Sequence, residues 1–248
     1  MQTAKLSWVE LKLFLREPLT VVFSLALPLI ILFVLGGVFG NDPAQPGEEV
    51  VFRGLGAMSY YVPAYIALVV ASVCVISIPT HLAGNRERGV LKRLHASSFT
   101  SWNVAGSQLV VALVLSTVSV AILLIAAGIA YDFSPAESVP LSIGVFLFLV
   151  LGFSAFGYFL GAVIPTARAA QAIGMLIWFV MLFLGGAGPP PEVLTDNMSV
   201  VADATPLWHA VLMMQDVWLG LDAGLSWLVF GLIAAASAIL GIRFFRWE

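Results

Sequence analysis

Apolar residues run along the chain in six long blocks separated by short polar stretches. A block of about 20 apolar residues is long enough to cross a bilayer as a helix. The blocks fall at about 18–39, 57–80, 106–130, 140–164, 169–187 and 223–242. The predicted fold class is therefore an all-α integral membrane protein, a single transmembrane domain over 1–248 with six transmembrane helices. Pro18 suits the first turn of its block, where the missing N–H has no partner to lose. Pro28 predicts a kink within the same block, and Pro63 lies early in the second.

The polar stretches differ in kind. Thr3–Glu17 wraps Lys5, Lys12 and Arg16 onto one stripe of an otherwise apolar cylinder, with Trp8 suited to headgroup depth. This predicts an interfacial helix lying flat at the membrane surface; a plain charged pre-membrane tail fits the same residues. Residues 40–56 form an acidic loop with one cation, Arg53. Residues 188–222 open on three prolines and are acidic yet rich in Trp, Met and Leu. They predict a re-entrant or interfacial outer segment, with Pro206–Leu219 as a short amphipathic helix. Gly157 and Gly161 have the spacing that lets helices approach closely, within the chain or between two copies.

Composition and charge sharpen this. The chain is 60% hydrophobic and 10% charged, against about 25% charged for an average soluble domain. The first apolar run is too long for a signal sequence, so no cleaved leader is expected. The single Cys74 excludes a disulfide within one chain. With six spans both termini share a side, which then holds ten of the eleven cations, whereas the other side holds ten of the fourteen acids. By the positive-inside rule both termini are cytoplasmic.

Gly84–Leu94 is the sharpest feature. Arg86, Glu87, Arg88, Lys92 and Arg93 make a charged island after the second block. One such charge at a bilayer centre costs about 2.5–3.5 kcal/mol, so the island lies in water or against a partner. As one helix, Glu87, Val90, Leu91 and Leu94 share a face. Arg88 and Lys92 form an unfavourable i,i+4 pair, so such a helix gains from docking in an apolar cleft. A generic positive-inside loop on lipid phosphates is the alternative.

The six blocks hold no Asp, Glu, Lys or Arg at membrane depth, which argues against proton- or ion-coupled carriers. No HExxH, no paired intramembrane aspartates and no GxxxxGK[ST] loop occur. His81, His95 and His209 sit near membrane edges and do not converge on one metal. No catalytic residue, metal or cofactor is expected in this chain, and no nucleic-acid partner. Ser72 and Ser77 in the second block, with Gln171, Met175, Trp178 and Met181 in the fifth, are candidates for a substrate pathway, and equally ordinary packing residues. An uncharged lining would favour a drug, antibiotic, lipid or peptide of hydrophobic or amphipathic character.

The string NRERGVLKRL, Asn85–Leu94, resembles the "ERERGTLKRL" signature of ABC-2-type permeases, the membrane subunits of bacterial ABC exporters. Leu13–Gly40 resembles that family's first span. The outer segment from Gly188 to Gly220 resembles its proline-containing loop, with Ala204–Val211 carrying Leu–Trp where the family usually has Leu–Thr. The resemblance, closest to the drug-exporter branch, implies a bacterial inner-membrane protein. It also implies two separate ABC ATPase subunits, which bind ATP and Mg, and a second permease copy or paralogue. Arg86, Glu87, Arg88, Gly89, Val90, Leu91, Lys92, Arg93 and Leu94 would form the coupling helix. Lys5, Trp8, Lys12 and Arg16 would belong to a connecting helix near the ATPase. Substrate would pass between spans one, two and five of two permeases, with the outer segment over the exit. An ATPase-independent channel or a membrane scaffold or immunity protein is the competing reading; co-purification of an ATPase separates the two.

Overall fold

The computed structural model describes residues 7, 8, 11, 22, 26–41, 51–221 and 224–247. The predicted helix at Thr3–Glu17 and the start of the first block lie outside these, apart from Ser7, Trp8, Leu11 and Val22. The described helices are α1 (Leu27–Phe39), α2 (Ala57–Glu87), α3 (Val90–Ala96), α4 (Ser101–Ala130), α5 (Val139–Val163), α6 (Ala167–Leu184), α7 (Asp196–Asp203), α8 (Pro206–Trp218) and α9 (Ser226–Phe244). Five of them, α2, α4, α5, α6 and α9, are long and apolar enough to cross a membrane. The described part of the first block, α1, has 13 residues.

Helix boundaries follow local chemistry. The hydroxyls of Thr100, Thr166 and Thr205 accept from the N–H groups of Asn103, Ala169 and Trp208, capping α4, α6 and α8. Pro140 and Pro206 fill first-turn positions where no donor is lost.

α2 is the axis of the molecule. It has 31 residues, roughly 46 Å at about 1.5 Å per residue, against about 30 Å of bilayer hydrocarbon. It is buried without interruption from Ala57 to Asn85. α8 packs along its Tyr60 end, and α5 and α6 pack along the half ending at Glu87. The expected span ended at Thr80; the helix runs on to Glu87 because α5 and α6 cover it there.

Midway, Val73–Ser77 widens into a π turn. Pro79 has no N–H to give the Val75 carbonyl, so the ordinary i→i−4 ladder cannot be kept. The neighbours leave room for the displaced carbonyls. A Cβ on Gly157 would lie 2.1 Å from the Cys74 oxygen, and one on Gly174 would lie 2.6 Å from the Val75 oxygen. The Gly157–Gly161 spacing therefore serves packing of α5 on α2 within the chain.

α9 lies along α5. Phe230 fills the space above Gly152 and stacks edge-on with Phe148 and Phe153, ring centroids 5.4 and 5.2 Å away. The outward faces of α4, α5, α6 and α9 carry exposed Val, Ile, Leu and Phe, as expected of helices solvated by lipid rather than water.

Candidate functional site

Both ends of α2 are built into polar clasps. At the end where α2 stops, Arg86 donates from one guanidinium nitrogen to the carbonyls of Gly161 and Ala162, each at 3.2 Å, and from the other to that of Ile164. These carbonyls belong to the last turn of α5, which has no intrahelical donors for them. The Glu87 carboxylate accepts from the Ala167 N–H at 3.0 Å, at the first turn of α6. A cation thus sits on a helix C-terminus and an anion on the next helix's N-terminus, as the helix dipoles favour. Together they hold the turn between α5 and α6.

The chain then breaks. Gly89 adopts φ +67°, the left-handed region, and starts α3. The continuous helix expected over Glu87–Leu94 is corrected here: Glu87 ends α2, and Val90, Leu91 and Leu94 belong to a separate helix. Leu91 is fully buried, and Leu94 packs against this chain's own core. The apolar face expected to meet a partner's cleft is therefore already covered, wholly at Leu91 and partly at Leu94. What α3 and its elbow expose is charge: Arg88, Lys92 and Arg93. Arg88 donates to the Asn85 side-chain oxygen at 3.2 Å. Beside them the chain's last aromatic residues pack down, Phe245 stacked on Tyr158 at 5.6 Å and Trp247 on His95 at 4.5 Å.

At the opposite end, α8 closes over α2. Its helix, expected as a short amphipathic one, is mostly buried within the protein, with Leu207, Met213, Gln215, Asp216 and Trp218 among its buried residues. It packs on α2, α5 and α9. Tyr60 donates to the Gly186 carbonyl and Tyr61 to the Gly188 carbonyl, both at 2.9 Å. Gln215 donates to the Tyr60 carbonyl at 3.1 Å, and Trp218 to the Ser134 carbonyl at 2.9 Å. Arg53 binds Asp216 at 2.6 Å, and its backbone N–H donates to Glu192. These bonds tie the residues before α2, the turn after α6, and α8 into one cap.

Asp216 went unmarked in the sequence, where it was one acid among many in an outer segment. Its side chain is 9% exposed against 31% for Arg53. One signal was available: Arg53 is the lone cation in the whole acidic half of the chain's charges.

The candidate pathway residues fall around the π turn, but not on an open lining. Ser72 is buried and donates to the Val69 carbonyl at 2.8 Å. Ser77 is 3% exposed, and its hydroxyl has no partner among the described residues. On α6, Ala170, Gly174, Trp178 and Met181 face inward, Gln171 and Met175 are half-buried, and Leu176, Val180 and Phe183 face out. Trp178 and Met181 are thus packing residues in this arrangement. Of the connecting-helix candidates, Lys5, Lys12 and Arg16 lie outside the described residues, and Trp8 is exposed. No group of three or more His, Cys, Asp or Glu that could hold a metal occurs among the described residues.

Comparison with known proteins agrees with this architecture. The family model described as "ABC-2 type transporter" matches residues 1–219. The chain is also 25% identical over 251 aligned positions to the "Daunorubicin resistance ABC transporter permease protein DrrB1" of Streptomyces coeruleorubidus, covering 96% of this chain and 84% of that protein. The chain belongs to the ABC-2 type transporter family, as a multi-pass membrane subunit of an ABC transporter.

Proposed function

We propose that this chain is the permease subunit of an ATP-driven exporter in a bacterial inner membrane, with six spans and both termini in the cytoplasm. It works with two ATPase subunits and a second permease copy or paralogue, and it moves a hydrophobic or amphipathic substrate outward. ATP and Mg belong to the partner, and no chemistry is assigned to residues of this chain. Family membership, which implies an ATPase partner, supports the reading.

The observation that carries the mechanism is the continuity of α2. One 31-residue helix joins a charged elbow at Arg86–Gly89 to the cap held by Tyr60 and Tyr61. Force applied at α3 by a closing ATPase reaches the turn between α5 and α6 directly, because Arg86 and Glu87 bind both sides of that turn. It reaches the cap along α2. Packed interfaces respond to such force by switching between discrete arrangements. The coupling surface is then the exposed Arg88, Lys92 and Arg93, with Arg86 and Glu87 transmitting behind it. A basic face of this kind suits an acidic rim around the ATPase cleft.

The test is transport by inside-out vesicles containing this chain and its ATPase, with daunorubicin as first substrate because the similar permease bears that name. The proposal predicts uptake that requires ATP and stops when the ATPase carries an inactive site. Equal flux without ATP contradicts it.

A further inference from the structure

A cavity of about 650 Å³ opens through the wall of the bundle between α4 and α5. Its floor is Ile66 of α2 and Met214 of α8, 3% and 1% exposed, and its mouth is framed by Ala121, Ile143 and Leu147. Its volume lies within the about 300–1,000 Å³ of pockets that hold small organic molecules. The lining is almost wholly apolar. Its two hydroxyls are already engaged, Thr117 with the Leu113 carbonyl at 2.7 Å and Ser142 with the Ser138 carbonyl at 2.9 Å. Water needs several polar partners to stay in such a space, and none is free.

The mouth is continuous with the lipid-facing surface of α4 and α5, where Val118, Ile122 and Leu151 are exposed. Hydrocarbon is therefore the solvent at the opening. An acyl chain gains nothing hydrophobic by moving from bilayer to cavity. It does restore the dispersion contacts that an empty cavity forfeits. The rim adds selectivity. The loop 131–138 roofs the cavity with Phe133, Pro135 and Ala136 and carries the exposed carboxylates of Asp132 and Glu137. That loop has no Lys or Arg, and the cation nearest in kind, Arg53, is bound to Asp216. An anionic headgroup meets repulsion at this rim, whereas a headgroup bearing an ammonium is attracted.

We propose that this cavity is a lipid site, holding one acyl chain of an aminophospholipid whose ammonium group lies at Asp132 and Glu137. The lipid comes from the leaflet at the Tyr60 end, the outer one in the orientation proposed above. The site is independent of ATPase coupling, so its test does not depend on that reading.

The full-length protein is reconstituted in vesicles of mixed phosphatidylethanolamine and phosphatidylglycerol. Either lipid carries a photoactivatable diazirine on one acyl chain, and adducts are mapped by mass spectrometry. Met214 is the diagnostic residue, because lipid that merely surrounds the bundle cannot reach it. The proposal predicts adducts on Met214, about fivefold more from the ethanolamine probe. Ala121→Trp removes them while adducts on exposed α9 residues, which report an intact bundle, stay constant. Asp132→Asn with Glu137→Gln brings the two probes level without lowering total labelling. Absence of Met214 adducts, or adducts insensitive to Ala121→Trp, overturns the lipid site. Equal labelling by both probes in the wild type overturns the amine selectivity.

Discussion

Gly157 and Arg53 are the two positions where one side chain decides most. At Gly157 the α5 backbone lies so close to α2 that a methyl group would overlap the Cys74 carbonyl. Gly157→Ala therefore forces the helices apart, at a cost of about 1–3 kcal/mol as for other overpacked sites. Gly144, on the same helix, has nothing within 4 Å of its Cβ position. A clear fall in the melting temperature of the purified protein for Gly157→Ala, with none for Gly144→Ala, is the expected pattern. Arg53→Ala leaves the Asp216 carboxylate buried without its cation, and the loss of a partner to such a group costs about 1–3 kcal/mol. Asp216→Asn in the same chain removes the unpaired charge and should recover part of that loss. Measured melting temperatures of the single and double variants give the comparison, and additive losses would argue against the pairing. The spacing of Gly157 and Gly161 was legible in the sequence, but its destination was not, since close approach within a chain and between chains demands the same small residues. Of the Arg53–Asp216 pair only Arg53 stood out, as a lone cation among acids; its partner was not legible, because the two stand 163 positions apart.

Helix boundaries were read well where hydropathy alone sets them. The third, fourth and fifth blocks, expected at 106–130, 140–164 and 169–187, match α4, α5 and α6 to within a few residues. The second block ends at Thr80, but its helix runs on to Glu87. His81, Asn85 and Arg86 interrupt the apolar pattern there, so hydropathy does not reveal the continuation that α5 and α6 cover as far as Asn85. The elbow had a visible signal in Gly89, a residue that readily takes the left-handed conformation and so ends helices. Counting i, i+3, i+4 positions across that glycine placed Glu87 on the same face as Leu91, whereas the break separates them. Two variants test the elbow. Gly89→Val must place a β-branched residue at φ +67°, where even an ordinary side chain costs about 1–2 kcal/mol. Gly89→Asn keeps a residue that tolerates this region. ATP-driven transport should fall sharply for Gly89→Val and persist for Gly89→Asn, with both proteins inserted at normal levels. Equal activity of the two would mean that the elbow geometry does not matter to coupling.

For the whole molecule, the coupling proposed above rests on one central buried helix with polar clasps at its two ends. The arrangement also changes which substitutions are informative. Glu87→Arg, a charge reversal within the island, would release the α6 N–H of Ala167 and bring a second cation beside Arg86. Its effect would mix misfolding with lost docking. Lys92 and Arg93 are exposed on α3, so reversing their charge leaves the helix clasps intact. The decisive measurement is therefore co-purification from detergent of the ATPase with wild-type protein and with Lys92→Glu/Arg93→Glu, alongside the melting temperature of each. Capture of an ATPase by the wild type and its loss in the variant, at an unchanged melting temperature, is the result expected. A wild-type protein that runs alone, or a variant that retains the ATPase in full, would contradict the coupling assigned to the α2–α3 elbow.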